Sequence, residues 1–213
     1  MRIEPEISGS SIVLLGDFNP AIFSPSWFAK YGIVSQSAAD EAETTVIHPE
    51  LAVMQIGSKS IKVEKNRFTV DTNEAPFIHI SDFVVKTFGE FLTHTPASKI
   101  GINRLVHFGV GKKETRDEIG RLLAPTGPWG EWGARFGEAS ENPRNGMISV
   151  IMHEHWEEDG FEGHFEAKVE PSTKLPGKSG IYVQVNHHCE VSGVERADGC
   201  EKVISYLSDR FEK

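Results

Sequence analysis

The stretch that decides the fold is MISVIMHEHWEEDGFEGHFEAKVE, residues 147–170. Apolar and polar residues alternate along both halves of this stretch, and Asp159-Gly160 separates the halves. Asp-Gly between two alternating runs is typical of the turn of a β-hairpin. The sequence therefore predicts two antiparallel strands joined by a turn at residues 157–160.

Alternation also assigns the side chains of this hairpin to two faces, because successive residues of a strand point to opposite sides. An even number of loop residues preserves this assignment, whereas a bulge would undo it. The face predicted to be buried carries Ile148, Val150, Met152, Trp156, Phe161, Phe165, Ala167 and Val169. The face predicted to be polar carries Ser149, His153, His155, Glu162, His164, Glu166 and Lys168.

The spacing of apolar residues also divides the rest of the chain into predicted helices and strands. Residues 35–50 are ambiguous and fit either a short helix or a loose connection. Predicted helices cover residues 25–31, 81–92, 112–124 and 198–211. Predicted strands lie in residues 11–23, in three short runs within 51–71, in 100–110, in the hairpin and in 181–189.

This order of elements predicts an internal duplication. Each copy reads β-α-β-β-β-α, with the first in residues 1–97 and the second in residues 98–213, fused as one compact domain. Runs of antiparallel strands followed by a helix are typical of an α+β fold with the helices packed on one face of each sheet.

Composition excludes several classes of protein. The chain has 213 residues and a net charge of -9, so its surface repels phosphate backbones, and nucleic acid is not an expected partner. The two cysteines, Cys189 and Cys200, match no zinc or redox spacing and fit a reducing compartment. The N-terminal residues do not resemble a signal peptide, and no window is long and apolar enough to span a membrane. We expect a cytoplasmic protein.

Three segments resemble those of a known family. They are IKVEKNRF at residues 61–68, IGIN at 100–103 and VQVNHH at 183–188. With them, the chain is similar over most of its length to a sporadically distributed family of uncharacterised bacterial proteins. The resemblance brings no established activity and no catalytic residues.

Histidines form the most specific candidate for a metal-binding or catalytic site. His153, His155 and His164 share the polar face of the predicted hairpin, and His188 joins them if residues 181–188 pair alongside. Imidazoles with a nearby carboxylate can bind Zn or Ni, and water on such a metal can hydrolyse a substrate. The alternative is a polar sheet face that meets solvent or another protein, because this spacing matches no diagnostic metal motif.

A second candidate site is the aromatic loop at residues 128–136, PWGEWGARF. Trp129, Trp132, Arg135 and Phe136 are residue types that dominate protein interfaces. The alternative is that the two tryptophans are buried as a plug between the two copies. Arg104 interrupts an apolar strand, where it could clamp an anion, form a structural ion pair or lie at a strand edge.

These features favour a non-enzymatic binding or adaptor protein of a bacterial cell. We expect it to be homodimeric and to recognise another protein through a sheet edge and the aromatic loop. One alternative is a metal-dependent hydrolase that uses the histidine cluster. Another is a small-ligand-binding protein with a pocket between a helix and the sheet.

Overall fold

The computed structural model describes residues 4–136, 146–158, 160–191 and 199–211. The strands are β1 (Ile7–Gly16), β2 (Glu43–His48), β3 (Leu51–Ile56), β4 (Lys59–Glu64), β5 (Arg67–Thr72), β6 (Ala97–Gly109), β7 (Val150–Glu158), β8 (Phe161–Pro171) and β9 (Gly180–Val191). The helices are α1 (Pro25–Lys30), α2 (Gln36–Asp40), α3 (Ile78–Lys86), α4 (Lys113–Leu123), α5 (Gly130–Ala134) and α6 (Glu201–Arg210).

Within the described ranges the fold is α+β, as the sequence predicts. Nine strands form one antiparallel sheet in the order β2-β3-β4-β5-β1-β6-β9-β8-β7, so β2 and β7 are its edges. The chain divides into two compact units. Unit 1 comprises Met1–Ser8, Leu105–His153 and Glu166–Val185, and unit 2 comprises Gly9–Arg104, Glu154–Phe165 and Asn186–Lys213.

Unit 2 contains a large hydrophobic core. Strand register aligns its buried residues in rows, one of which joins Ile12, Val70, Ile61 and Met54 across four strands. Each of these side chains is at most 2% exposed, because the alternating strands place them on the face that the helices cover. Burying apolar area on this scale is the main stabilising contribution to folding.

Helix boundaries in unit 2 follow capping chemistry that is visible in the sequence. The hydroxyl of Ser24 accepts a hydrogen bond from the Trp27 N–H at 3.1 Å, and Pro25 occupies the first helical position of α1. The predicted helix at residues 81–92 corresponds to α3 followed by one π-helical turn, Thr87–Phe91. Both predictions of helix position are confirmed to within a few residues.

The predicted hairpin is confirmed as β7 and β8, with Gly160 at a φ of 80°. Its predicted burial is only partly correct. Trp156 and Phe161 pack against the core, whereas Met152 is 69% exposed, Phe165 is 39% exposed and Ile148 is 77% exposed. Tyr206 of α6 covers the part of the hairpin nearest the turn, and the described residues provide no such cover for Met152 and Ile148.

The strict tandem pattern is not reproduced by the observed elements. The ambiguous residues 35–50 contain both α2 and a strand, β2, that pairs with β3. The aromatic loop contains an additional short helix, α5. Among the residues that the structure describes, the first half of the chain therefore has five strands and the second half has four.

Candidate functional site

The aromatic loop of unit 1 is folded into a compact segment. A 3-10 turn, Gly127–Trp129, leads into α5, and Pro128 is the second residue of this turn, where its fixed φ is compatible with the first turn of a helix. Gly133 makes this packing possible, since a Cβ there would lie only 2.1 Å from the carbonyl oxygen of Thr126. The sequence therefore sets the local geometry that presents the aromatic side chains.

The aromatic rings of this segment contact one another in series. The ring centroids of Trp129 and Trp132 lie 5.4 Å apart in an edge-to-face arrangement. Trp132 in turn lies 4.6 Å from the ring of Phe136. Trp129 is 60% exposed and Trp132 is 53% exposed, so the expectation of a buried plug is wrong for both tryptophans. Arg135, between these aromatic residues, is also exposed.

Exposure of apolar side chains is concentrated in unit 1. We define the apolar surface as the large apolar residues of unit 1 whose exposed fraction is at least 45%. These residues are Leu122, Leu123, Trp129, Trp132, Ile148, Ile151 and Met152. By contrast, the buried hydrophobic side chains described in unit 1 are Leu175 and Ile181. Among its described residues, unit 1 therefore exposes more large apolar side chains than it buries.

A cavity of about 790 Å³ lies within unit 1. One wall is α4, which contributes Arg116, Gly120 and Arg121, together with Ala124 directly after the helix. The other walls are residues 170–173 with Leu175, and a group that includes Phe136, Met147 and Ile148. Phe136 therefore belongs both to the aromatic segment and to the cavity lining, so the two features are continuous.

A buried hydrogen bond ties the strand β6 to the segment that follows β8. His107 Nδ1 lies 2.8 Å from the hydroxyl oxygen of Ser172, and this oxygen accepts hydrogen bonds from the N–H groups of Lys174 and Leu175. Burial, followed by the positive charge of Lys174, lowers the pKa of His107. A neutral imidazole can accept a hydrogen bond from the Ser172 hydroxyl group. This hydrogen bond holds the segment that follows β8 against β6. Sequence reasoning missed it, because the two residues are 65 positions apart.

The histidines predicted to bind metal do not form a ligand set. In unit 2, the rings of His164 and His188 stack with centroids 4.8 Å apart, and His155 is exposed. His153 is exposed in unit 1. Across the described ranges, no group of three or more histidine, cysteine, aspartate or glutamate side chains could hold a metal ion. The prediction of a Zn or Ni site therefore has no support from the described geometry.

Arg104 lies in unit 2 and contacts an aromatic ring rather than an anion. Its guanidinium carbon lies 3.9 Å from the centroid of Phe77, a distance typical of a cation–π contact. β6 is an interior strand, so the suggested position at a sheet edge is wrong. Partial burial lowers the pKa of Arg104. The side chain nevertheless keeps its positive charge, because arginine stays protonated in proteins.

Unit 2 also contains a polar cluster beneath α6. The hydroxyl of Tyr206 lies 2.6 Å from Nε2 of His187, and the Phe165 ring stacks on His187 at 4.0 Å. Burial, then the charges of Arg210 and His188, lowers the pKa of His187 to about 4. Burial raises the pKa of the Cys189 thiol to about 12. These groups are neutral near pH 7, so the cluster stabilises packing and offers no activated nucleophile.

Comparisons with protein-family models and with curated proteins find no match for this chain. None of the helices within the described ranges combines the length and apolar character that crossing a membrane requires.

Proposed function

We propose that this chain is a protein-binding module that recognises another polypeptide through the apolar surface of unit 1. The observation that carries the proposal is the exposure of Trp129 and Trp132, at 60% and 53%, together with the exposure of further aliphatic side chains of the same unit. Tryptophan contributes more binding energy per residue than almost any other side chain when a partner covers it. Exposing it to water instead has a free-energy cost that a partner removes.

The edge strand β7 supports the same proposal. Ile151 and Met152 lie in β7 on opposite faces and are 54% and 69% exposed. An edge strand offers unpaired N–H and C=O groups to an incoming chain, and exposed aliphatic side chains add to the attraction. A partner that adds a strand to β7 would cover both side chains.

Comparative capture tests this proposal. The wild-type chain and the Trp129→Ala, Trp132→Ala double variant are each used at equal concentration to capture partners from the native bacterial host. We expect a partner that is retained by the wild type and reduced at least about tenfold by the double variant, since two interface tryptophans contribute well over 1.4 kcal/mol. Equal retention of every captured protein would contradict the proposal.

A matched control separates binding from folding. Trp27 packs against the core of unit 2, and its indole contacts Phe23 and Phe28. Trp27→Ala is expected to lower the free energy of unfolding without touching the apolar surface. Partner retention by the folded fraction of Trp27→Ala is therefore expected to match that of the wild type.

Homodimerisation is the second part of the proposal, and we assign it to the β2 edge in unit 2. β2 carries one carboxylate, Glu43, and the exposed Ile47, whereas β7 carries Glu154, Glu157 and Glu158 and would repel a second copy of itself. Light scattering after size exclusion tests this assignment. Ile47→Lys is expected to give monomers, and Ile151→Lys is expected to leave the dimer intact.

The sheet order also supports a proposal about duplication. Strands β1, β5, β4 and β3 run outward from the centre of the sheet, and β6, β9, β8 and β7 run outward in the same relative order on the other side. This mirrored order fits two copies divided near residues 97 and 98, with β2 as an addition to the first. Co-expression of residues 1–97 and 98–213 as separate chains is expected to yield a stable complex.

A further inference from the structure

The cavity of unit 1 has a mixed lining whose chemistry indicates a ligand class. Its apolar wall includes Phe136, Met147, Ile148 and Leu175. Its volume of about 790 Å³ lies within the range of about 300–1,000 Å³ that is usual for small-molecule sites. A ligand with an apolar body would therefore find both space and suitable contacts there.

Among the described residues, the lining carries two arginines and two carboxylates, and Arg121 is the charge that their ion pairs leave over. Arg116 is buried, and its Nε and Nη2 donate to Asp117 at 2.9 and 2.5 Å, so these two charges neutralise each other. Glu170 is paired with Lys168 at 2.7 Å. Arg121 also lines the cavity, and the ion pairs among the described residues do not include it.

Arg121 therefore supplies a positive charge that a ligand can complement. A guanidinium presents planar, paired N–H donors that match the two oxygens of a carboxylate. An apolar wall beside one such cation suits an anion of low charge attached to an apolar group, and it is poorly suited to a polyanion.

We propose that the cavity of unit 1 binds a small carboxylic acid with an apolar or aromatic body, whose carboxylate pairs with Arg121. The apolar body lies between α4 and the residues Met147 and Ile148. This inference goes beyond the proposed protein-binding function and does not depend on it, because it rests on the lining of the cavity and the charge of Arg121, whereas the proposed function rests on the exposure of Trp129 and Trp132.

Naphthalene-1-acetate is a suitable probe, and naphthalene-1-acetamide is its neutral control of nearly the same shape. Both are titrated into the full-length chain by isothermal calorimetry. We expect saturable one-to-one binding of the acetate, and binding of the amide at least about tenfold weaker, as loss of a charge-assisted hydrogen bond implies. No saturable binding of the acetate, or equal affinity for the two probes, would overturn the proposal.

Two variants locate the bound probe. Arg121→Ala is expected to weaken acetate binding about tenfold and to leave amide binding nearly unchanged. Lys112→Ala removes an exposed cation that does not line the cavity, and it is expected to change neither affinity. Equal loss in both variants would show that the probe responds only to overall charge, which also overturns the proposal.

Filling the cavity tests the apolar half of the claim. Ala124 lines the cavity, so Ala124→Phe is expected to abolish binding of both probes. Thr115→Phe adds the same ring at an exposed position of α4 outside the lining and is expected to preserve binding. Circular dichroism identifies a variant that fails to fold, and Arg121→Ala then decides the question alone. Retained binding by folded Ala124→Phe would contradict the assignment.

Discussion

Tyr206 and His187 share a short hydrogen bond, with the phenolic oxygen 2.6 Å from Nε2 of the imidazole. Trp156 lies against both rings, at 5.9 Å from Tyr206 and 5.4 Å from His187, and extends the cluster to the hairpin. Burial raises the pKa of Tyr206 and lowers that of His187, so both groups are neutral near pH 7. Three segments of unit 2 that are distant in sequence meet at this one polar contact.

The first prediction concerns pH. The pKa of His187 is about 4 in the folded chain and 6.5 in the unfolded chain, so the unfolded chain binds this proton first as the pH falls. Stability from the neutral imidazole is therefore complete above pH 6.5, decreases as the pH falls to about 4 and changes no further below that value. We expect a loss of about 2 kcal/mol across this interval, after allowance for partial exposure.

Urea unfolding at several pH values measures this effect. His187→Phe keeps an aromatic ring in place and is expected to flatten the pH profile between 6.5 and 4. His155→Ala, at an exposed position, is expected to leave the profile unchanged. An unaltered slope in His187→Phe would assign the pH dependence to other groups.

The second prediction concerns the phenolic hydroxyl. Tyr206→Phe leaves Nε2 of His187 half-buried without its hydrogen-bond partner, and we expect a loss of about 1–3 kcal/mol of unfolding free energy. Chemical denaturation at pH 7 measures the loss. A change below about 0.5 kcal/mol would show that water replaces the hydroxyl at no cost.

The third prediction concerns backbone packing at Gly163. A Cβ at this position would lie 2.0 Å from the carbonyl oxygen of His188 and 2.9 Å from the Trp156 ring, so an alanine forces the strands apart. We expect Gly163→Ala to destabilise the chain by about 3 kcal/mol. Gly127→Ala is the control, because no atom lies within 4 Å of its added Cβ. Equal thermal midpoints for the two variants would be inconsistent with the strand contacts described above.

The fourth prediction concerns the two thiols. Cys189 is 0% exposed and Cys200 is 1% exposed, and burial raises the pKa of Cys200 to about 11. A disulfide reagent at pH 8 is expected to label neither thiol in the native chain and both in urea, because the reactive species is the thiolate. Rapid labelling of the native chain would show that α6 opens readily.

Sequence patterns predicted the elements well where local chemistry decides them. The Ser24-Pro25 cap, the Asp-Gly turn and the alternation of residues 51–71 each act over a few positions, and the structure contains the corresponding helix, hairpin and strands. β2 was not predicted because its own side chains are mostly exposed, so alternation gives no signal there. Its pairing with β3, a tertiary interaction, forms the strand.

Prediction of the candidate sites was limited in the same way, because their geometry depends on tertiary contacts. The aromatic segment was predicted from residue types, but the exposure of Trp132 depends on what packs around it and could not be inferred from spacing. The stacked pair His164 and His188 shares the face that alternation assigns, yet ring stacking differs from metal ligation. The cavity beside Arg121 joins segments that lie far apart in the chain, and no local pattern marks it.

The central claim is that the apolar surface of unit 1 binds a partner polypeptide. The most direct measurement is photocrosslinking in the native cell, with a benzophenone amino acid at position 132 and, as the control, at the exposed Ser37 in unit 2. The account predicts a discrete protein adduct from position 132 that is absent from position 37 and reduced by Trp129→Ala. No adduct at position 132, or the same adducts from both positions, would contradict it.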